Sequence, residues 1–294
     1  MGGFIAPRVF SNIPVQKKSD LYYSYPKQQW FRSDAQLRAP GTESAGSGYE
    51  LDTDQYSCDV FALHKNIDDQ LRANADAPID LDKEATEFVA RQLMLKREKD
   101  WASSFFAAST WTGSTTGGDV TPGTLWSAGG SDPFGDMRAE VAAIHKKTGY
   151  KPNKAVMGRE VWDILADHPD FLERIKYTQT GIVGPDLLAA ALGLDEVLIG
   201  FPIEDTAAEG ATEALDYIYG KNVLFCYSAP RPGLMTPSAG YTFSWSAFGG
   251  NDMGIRMKRF RMEQLEADRV EGSMAYDMKL VAPDLGAFMT GVVA

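Results

Sequence analysis

A chain of 294 residues with 44% hydrophobic side chains is long enough to bury a sizeable core, and its length sets a prior of about two domains. Its formal net charge of -11 and pI near 4.8 argue against a protein that grips phosphate backbones, because counterion release needs clustered Lys and Arg. Cys58 and Cys226 are the only cysteines and lie outside any CxxC or Cys/His ligand spacing, so they read as free, buried thiols in a reducing compartment. No basic region followed by an apolar core opens the chain, and no run approaches the roughly 18 apolar residues of a membrane span. The expectation is a soluble protein, made in the cytoplasm, with no membrane partner.

Residues 1–21 carry Pro7 and Pro14 among scattered apolar side chains without a helical period. They predict an extended arm with no core of its own. Two strand-like segments follow, Asp20 to Asp34 and Tyr49 to Asn66, separated by the polar, flexible stretch Ala39 to Gly48. Together they predict a long two-stranded hairpin. An isolated hairpin is marginal in water, yet this one holds Tyr22, Tyr23, Tyr25, Trp30, Phe31, Tyr56 and Phe61. Those rings need cover, either from the chain's own core or from a neighbouring subunit, and the residues alone leave both open.

Asp80 is placed to cap a helix running to about Phe106, with Leu81, Ala85, Phe88, Leu95, Ala102 and Phe106 on one stripe. Such a rod is about 40 Å long. Met94 and Trp101 fall off the stripe and predict a second contact surface. A Gly/Thr-rich connection, Thr112 to Gly130, ends at Asp132-Pro133, an N-cap and first-turn pair. Phe134, Met137, Val141 and Ile144 then mark a second helix that ends at Lys146-Lys147-Thr148-Gly149. Downstream, the apolar runs Ala155 to Met157, Val197 to Ile199 and Val223 to Tyr227 alternate with helical stretches Arg159 to Ala166 and Pro185 to Leu192, which is the pattern of an α/β layer with a small central sheet. From Ile255 to Ala267 the alternation has period two with phase slips, predicting a strand with bulges or bends at Lys258-Arg259 and Glu263-Gln264.

No constellation carries catalysis. His64, His145 and His168 lie in three different elements, and neither a GxSxG elbow nor an HExxH pair occurs. Gly113 to Gly118 is glycine-rich but lacks the Walker Lys-Ser or Lys-Thr, so it reads as a loop. Asp52, Asp54 and Asp59 lack the D-x-D-x-D-G order of a calcium loop and read as a solvated strand face or ion-pair partners. Arg256, Lys258, Arg259 and Arg261 form the densest basic cluster and face Glu263, Glu266 and Asp268 within a few residues. That arrangement predicts a cross-strand or intersubunit salt network. The residues therefore assign no catalytic group, no cofactor and no metal. A hydrolase using the carboxylates of Asp163 and Asp167 on one helical turn is the rival from another class.

Two segments remain. Pro152-Asn153-Lys154-Ala155-Val156-Met157-Gly158-Arg159-Glu160-Val161-Trp162-Asp163-Ile164-Leu165 reads as turn, buried strand and helix. Tyr276-Asp277-Met278-Lys279-Leu280-Val281-Ala282-Pro283-Asp284-Leu285-Gly286 closes the chain. Both resemble the major capsid proteins of tailed bacteriophages, and the order of elements agrees over nearly the whole chain. The resemblance implies an α+β protein of the Hong Kong 97 capsid fold. Its parts would be an N-terminal arm (1–21), an extended β-hairpin or E-loop (22–70), a peripheral domain with a long spine helix (71–150 and 256–294) and an α/β axial domain (151–255). It implies a non-enzymatic subunit that assembles with itself as hexamers and pentamers into an icosahedral shell, found in the virion and built in the host cytoplasm. Double-stranded DNA would be enclosed without sequence-specific binding.

A portal, a possible decoration protein and a separate scaffolding protein are the other implied partners, the last because no coiled-coil scaffold precedes the arm. The resemblance also turns the hairpin rings, with Arg32, toward a neighbouring subunit, and makes Met94, Trp101, Arg256, Arg259 and Arg261 further interface candidates. An encapsulin-like nanocompartment shell shares the fold and is the alternative. Some relatives weld subunits through a Lys to Asn isopeptide bond; Lys27 lies in the hairpin, but no motif fixes a partner, and that chemistry is not carried over.

Overall fold

The computed structural model describes residues 3–27, 31–75, 79–175, 184–248 and 254–294. In chain order the elements are α1 (Ala6–Val9), β1 (Ser11–Val15), β2 (Ser19–Ser24), β3 (Asp52–Ser57), β4 (Asp59–Asp68), α2 (Asp69–Asn74), α3 (Leu81–Phe105) and α4 (Pro133–Thr148). There follow β5 (Lys154–Gly158), α5 (Arg159–Ala166), α6 (Pro169–Ile175), α7 (Pro185–Leu192), β6 (Glu196–Gly200), β7 (Ile203–Asp205), β8 (Leu215–Tyr217) and β9 (Val223–Cys226). The chain ends with β10 (Gly240–Trp245), β11 (Ile255–Met262), β12 (Ala267–Leu280) and β13 (Gly286–Met289). Among the described residues no helix is long and apolar enough to cross a membrane.

The α/β layer forms as its pattern predicts. Strands β5, β6 and β9 with β13 make a four-stranded sheet in the order β13-β9-β5-β6. Its strands are apolar on both faces, because both are covered. On one side Ala155, Met157, Val197, Ile199, Val223 and Phe225 meet α4, α5 and α7. On the other, Val156, Leu198, Leu224, Cys226 and Phe288 meet the C-terminal end of α3 and the arm. The caps of α4 are those read from sequence: the Asp132 carboxylate accepts from Gly135 N–H, and Gly149 closes the helix in the left-handed region at φ 73°.

The second layer is a five-stranded sheet built on the long strand β12. It pairs with β4 along one edge, and with β11 and then β10 along the other, while β1 adds in parallel outside β10. Helix α3 lies across it. The Asp80 carboxylate accepts from Asp82 N–H and Lys83 N–H, which starts the helix where expected. The buried stripe, however, is Ala85, Val89, Leu93, Met94, Trp101 and Phe105, a row of roughly i+4 spacing. Phe88 stays outside, with the Lys65 ammonium over its ring. The reason lies in the sheet. Gly272 has no side chain, and a Cβ there would stand 2.6 Å from Val89 and 2.8 Å from Leu93, so the Val89-Leu93 row sinks into β12. Met94 and Trp101 thus lie inside the chain's own core, which corrects the second contact surface predicted for them.

Four further expectations change. The arm is not without a core: Ile5, Ala6, Val9 and Phe10 are buried against Trp101 and Phe105, and residues 11–15 join the sheet. The hairpin is shorter, because β2 pairs only with β3, over six residues each, and β4 turns away to β12. The switch is at Cys58, which is buried and donates its N–H to Lys18 O at 2.8 Å. The β11 register runs unbroken from Ile255↔Met274 to Met262↔Ala267, with no bulge at Lys258-Arg259; at Glu263–Leu265 the strand ends in a 3-10 turn with Glu266 at φ 45°. Finally, β10 belongs to the five-stranded sheet and β13 to the four-stranded one, so a division at 255/256 cuts across both sheets.

The arm, α3 and the four-stranded sheet meet at one carboxylate. Glu98 is fully buried; its Oε1 accepts from Ile5 N–H (2.8 Å) and the Tyr219 hydroxyl (2.6 Å), and its Oε2 from Ala6 N–H (2.9 Å). Burial pushes the Glu98 carboxyl above its ordinary value, while the three donors and Arg97 pull it back. Glu98→Gln keeps the shape but turns an amide NH₂ toward one of those donors. It is expected to destabilise the chain by about 1–3 kcal/mol, read as a lower urea midpoint, with earlier proteolysis in residues 3–15.

Candidate assembly surface

Two surfaces carry the residues singled out from sequence. The first is built around the base of the hairpin. Strands β2 and β3 set Tyr22 and Tyr56 against Phe243 of β10. Tyr56 is stacked on it at 4.6 Å, and Tyr22 is tilted at 5.3 Å. The Tyr22 hydroxyl donates to Asp54 at 2.8 Å; burial, followed by this bond, raises the phenol well above its ordinary value. Phe61 is half-buried and stacks on Tyr276 at 5.0 Å. These rings pack within the chain. Others do not: Tyr23 is 55% and Phe31 60% exposed, and Tyr49, Leu37 and Leu51 are exposed with them. The Tyr25 and Tyr49 rings lie 6.2 Å apart across the hairpin, and Arg32 pairs with Asp34 at 2.9 Å. Trp30 lies outside the described residues.

Next to these rings runs a groove of about 550 Å³. The hairpin base, the turn Gly233–Thr236 and the segment Val281–Leu285 form its walls. The sequence reading missed the turn. Leu234 is 74% exposed, and Met235 sits in the left-handed region at φ 60°, a conformation that costs a non-glycine residue of order 1 kcal/mol. Two apolar residues inside Arg231-Pro232-Gly233-Leu234-Met235-Thr236-Pro237, a run otherwise made of turn formers, are the signal that could have found it.

Both family-like segments turn out to be structural. In the first, the Asn153 side chain exchanges two 2.9 Å hydrogen bonds with the Ser228 backbone, pinning β5 beside the end of β9. In the second, the Tyr276 hydroxyl donates to Asp100 at 2.8 Å, Asp277 accepts from Ser57 N–H, and Asp284 pairs with Lys27 and accepts from the Thr112 hydroxyl. Gly286 lies against Trp111, where a Cβ would come within 2.1 Å of the indole. This segment therefore joins α3, the hairpin and the Thr112–Gly130 connection.

The second surface is the basic strand β11. Arg259 reaches Asp82 (3.1 Å) and Asp268 (3.0 Å). Arg261 holds Asp69 through paired 2.5 and 2.6 Å hydrogen bonds, and Arg72 closes the network on Asp82 and Asp268. The salt network is thus cross-strand and within the chain for Arg259 and Arg261. Arg256 and Lys258 alternate with them and point to the exposed face.

The remaining candidates dissolve on inspection. Thr115 in the glycine-rich loop donates its N–H and hydroxyl to the buried Glu140, so a carboxylate sits where a phosphate would have to. Asp163 is an exposed partner of Arg159. His168 bonds Ser131. Burial pushes the Cys58 thiol up to about 11 and the Cys226 thiol up to about 12, so neither is a ready nucleophile. Among the described residues no group of His, Cys, Asp and Glu could hold a metal ion.

The chain is similar to known phage capsid proteins. Residues 114–200 match the family model for phage major capsid protein E. Over 296 aligned positions, covering 98% of this chain and 91% of its relative, the sequence is 24% identical to the major capsid protein of Burkholderia phage BcepMu. A crystal structure of a phage-related protein from Bordetella bronchiseptica superposes with a TM-score of 0.74 at 20% identity, covering 99% of this chain and 93% of that one. A subunit of the mature capsid of bacteriophage PhiM1 does so with 0.59 at 13%, covering 98% and 87%.

Asp69 and Asp82 are held below the usual carboxylate range, first of all by the hydrogen bonds of Arg261 and Arg72. Their contribution to stability is complete above the unfolded carboxylate pKa of about 4 and is lost as pH falls through the depressed folded values. Between about pH 5 and about pH 2 the parent's urea midpoint should therefore fall further than that of Asp82→Asn. Equal falls would show that the network adds nothing. The chain is thus similar along its whole length to a phage major capsid protein and shares the mixed α+β, Hong Kong 97-like fold of phage capsid subunits.

Proposed function

We propose that the chain builds the head shell of a tailed phage as a structural protein, without enzymatic activity, and that its parts divide the work as follows. Helix α3 with the five-stranded sheet forms the peripheral part. The four-stranded sheet with α4, α5 and α7 forms the axial part, and the hairpin of residues 19–57 reaches over a neighbouring copy. Copies gather as hexamers and pentamers, so many weak contacts are multiplied over closed symmetry. The acidic balance of the chain suits a wall that encloses double-stranded DNA without holding it by counterion release. A scaffolding protein, a portal and a decoration protein are partners of the same reading.

The observation that carries this division is the uncovered apolar surface at the hairpin. Tyr23, Phe31, Leu37, Tyr49 and Leu51 are all exposed on this one hairpin, and apolar side chains gathered in this way mark an interaction site. Covering two such rings removes on the order of 2–5 kcal/mol of unfavourable exposure per contact, enough to drive assembly when repeated around a ring. Tyr23→Ala with Phe31→Ala should leave the thermal unfolding of the isolated subunit unchanged and sharply reduce the yield of particles seen by negative-stain microscopy. A normal yield of particles in that variant would remove the hairpin from the assembly mechanism.

A further inference from the structure

Two exposed patches of opposite charge lie outside the hairpin contact. The first is the hairpin formed by β7 and β8. Its charged residues are all acidic: Glu204, Asp205, Glu209, Glu213 and Asp216. Two are used inside the chain, Glu204 by Lys99 at 2.5 Å and Asp205 by the N–H groups of Ala207 and Ala214. The other three are exposed. The strand pairing Ile203↔Tyr217 and Asp205↔Leu215 puts Ile203, Tyr217 and Leu215 on the face opposite Glu204, hence on the side away from Lys99. All three are exposed, as is the neighbouring Phe201. The result is an apolar patch rimmed by carboxylates.

The second patch is the outer face of β11. Arg259 and Arg261 are drawn to the inner face by Asp82, Asp268 and Asp69. This leaves Arg256, Lys258 and Phe260 in alternation on the other side, all exposed, with Leu265 exposed beyond the strand's end. Arg269 stands opposite Phe260 in the register. This patch is also apolar, and its rim holds three cations, Arg256, Lys258 and Arg269, against one carboxylate, Glu271, opposite Lys258 in the register.

We propose that the β7–β8 hairpin of one copy docks on the outer β11 face of the next copy. Ile203, Leu215 and Tyr217 would lie against Phe260 and Leu265, while Glu209 and Glu213 face Arg256, Lys258 and Arg269. The proposal rests on the capsid reading. Because two different patches of the same chain meet, the contact is head-to-tail, the kind that closes into rings when the rotation fits. Charge complementarity sets its register and suppresses wrong pairings, and it makes the contact salt-sensitive.

Charge reversal on each side tests it without touching internal bonds. Glu209→Lys with Glu213→Lys makes both patches basic; Arg256→Glu with Lys258→Glu makes both acidic. Each variant alone should lose more than about tenfold in assembled particles, since like-charge juxtaposition costs several kcal/mol. Mixed in equal amounts, the two should associate, because each altered patch now fits the altered patch of the other and the native patches still fit one another. Sedimentation velocity reads this association directly. Association on mixing, absent from either variant alone and weakened by salt, supports the contact. Variants that assemble like the parent, or a mixture no larger than its components, overturn it. If the parent itself forms neither rings nor shells, the capsid reading fails, and the mixing experiment still decides the contact.

Discussion

The constraint on which the rest of the structure depends is the buried carboxylate of Glu98. A charge without solvent is tolerated only if its acceptor capacity is filled, and here the donors come from two places, the first turn of the arm and Tyr219 beyond the small β7–β8 hairpin, while Arg97 of the same helix adds a nearby positive charge. The arm's single helical turn is held at its other end as well, where the Lys154 ammonium donates to the carbonyls of Arg8 and Val9. A turn of four residues has no cooperative stability of its own. Anion at the N–H end and cation at the carbonyl end supply what the short turn lacks, and Phe10 then seals the joint against Trp101 and Phe105.

This joint explains why the arm misleads a reader of the sequence. Ile5, Ala6, Val9 and Phe10 have no period long enough to announce a helix, and the partners that order them, Glu98 and Lys154, are about 90 and 145 residues away. Where structure depends on neighbours in sequence, it was legible. The caps and apolar face of α4, the strand-helix pair β5-α5 and the short helix α7 all lie where their residues put them. Where it depends on a distant glycine or carboxylate, it was not. Gly272 selects which row of α3 is buried. The aspartates at 69, 82 and 268 draw arginine side chains to the inner face of β11, and this produces the apparent phase slips that suggested bulges.

The same distinction holds for the assembly surface. The hairpin aromatics were visible by composition alone, but their division was not. Tyr22, Tyr56 and Phe61 face β10 and β12 of their own chain, while Tyr23 and Phe31 face outward. Within β2, alternation separates Tyr22 from Tyr23 by one residue and hence by the whole thickness of the strand. Which face is inner could be known only once β4 had left β3 at Cys58 and brought β10 beneath the hairpin.

A shell subunit must satisfy two opposing demands: it has to remain soluble before assembly and bind strongly afterwards. The distribution of charge meets both. Net charge of -11 gives every pair of copies a long-range repulsion, which salt screens over about 10 Å. Apolar contacts act only at short range and are indifferent to that screening. If acidic and basic residues were equal in number, the repulsion would vanish and the exposed rings of Tyr23 and Phe31 would associate in any orientation. Concentrating cations on β11, with Arg259 and Arg261 neutralised inside and Arg256 and Lys258 left outside, confines attraction to a small part of an otherwise repelling surface. In the proposed contact the acidic excess would select among orientations, and the exposed apolar patches would supply the energy once the orientation is right.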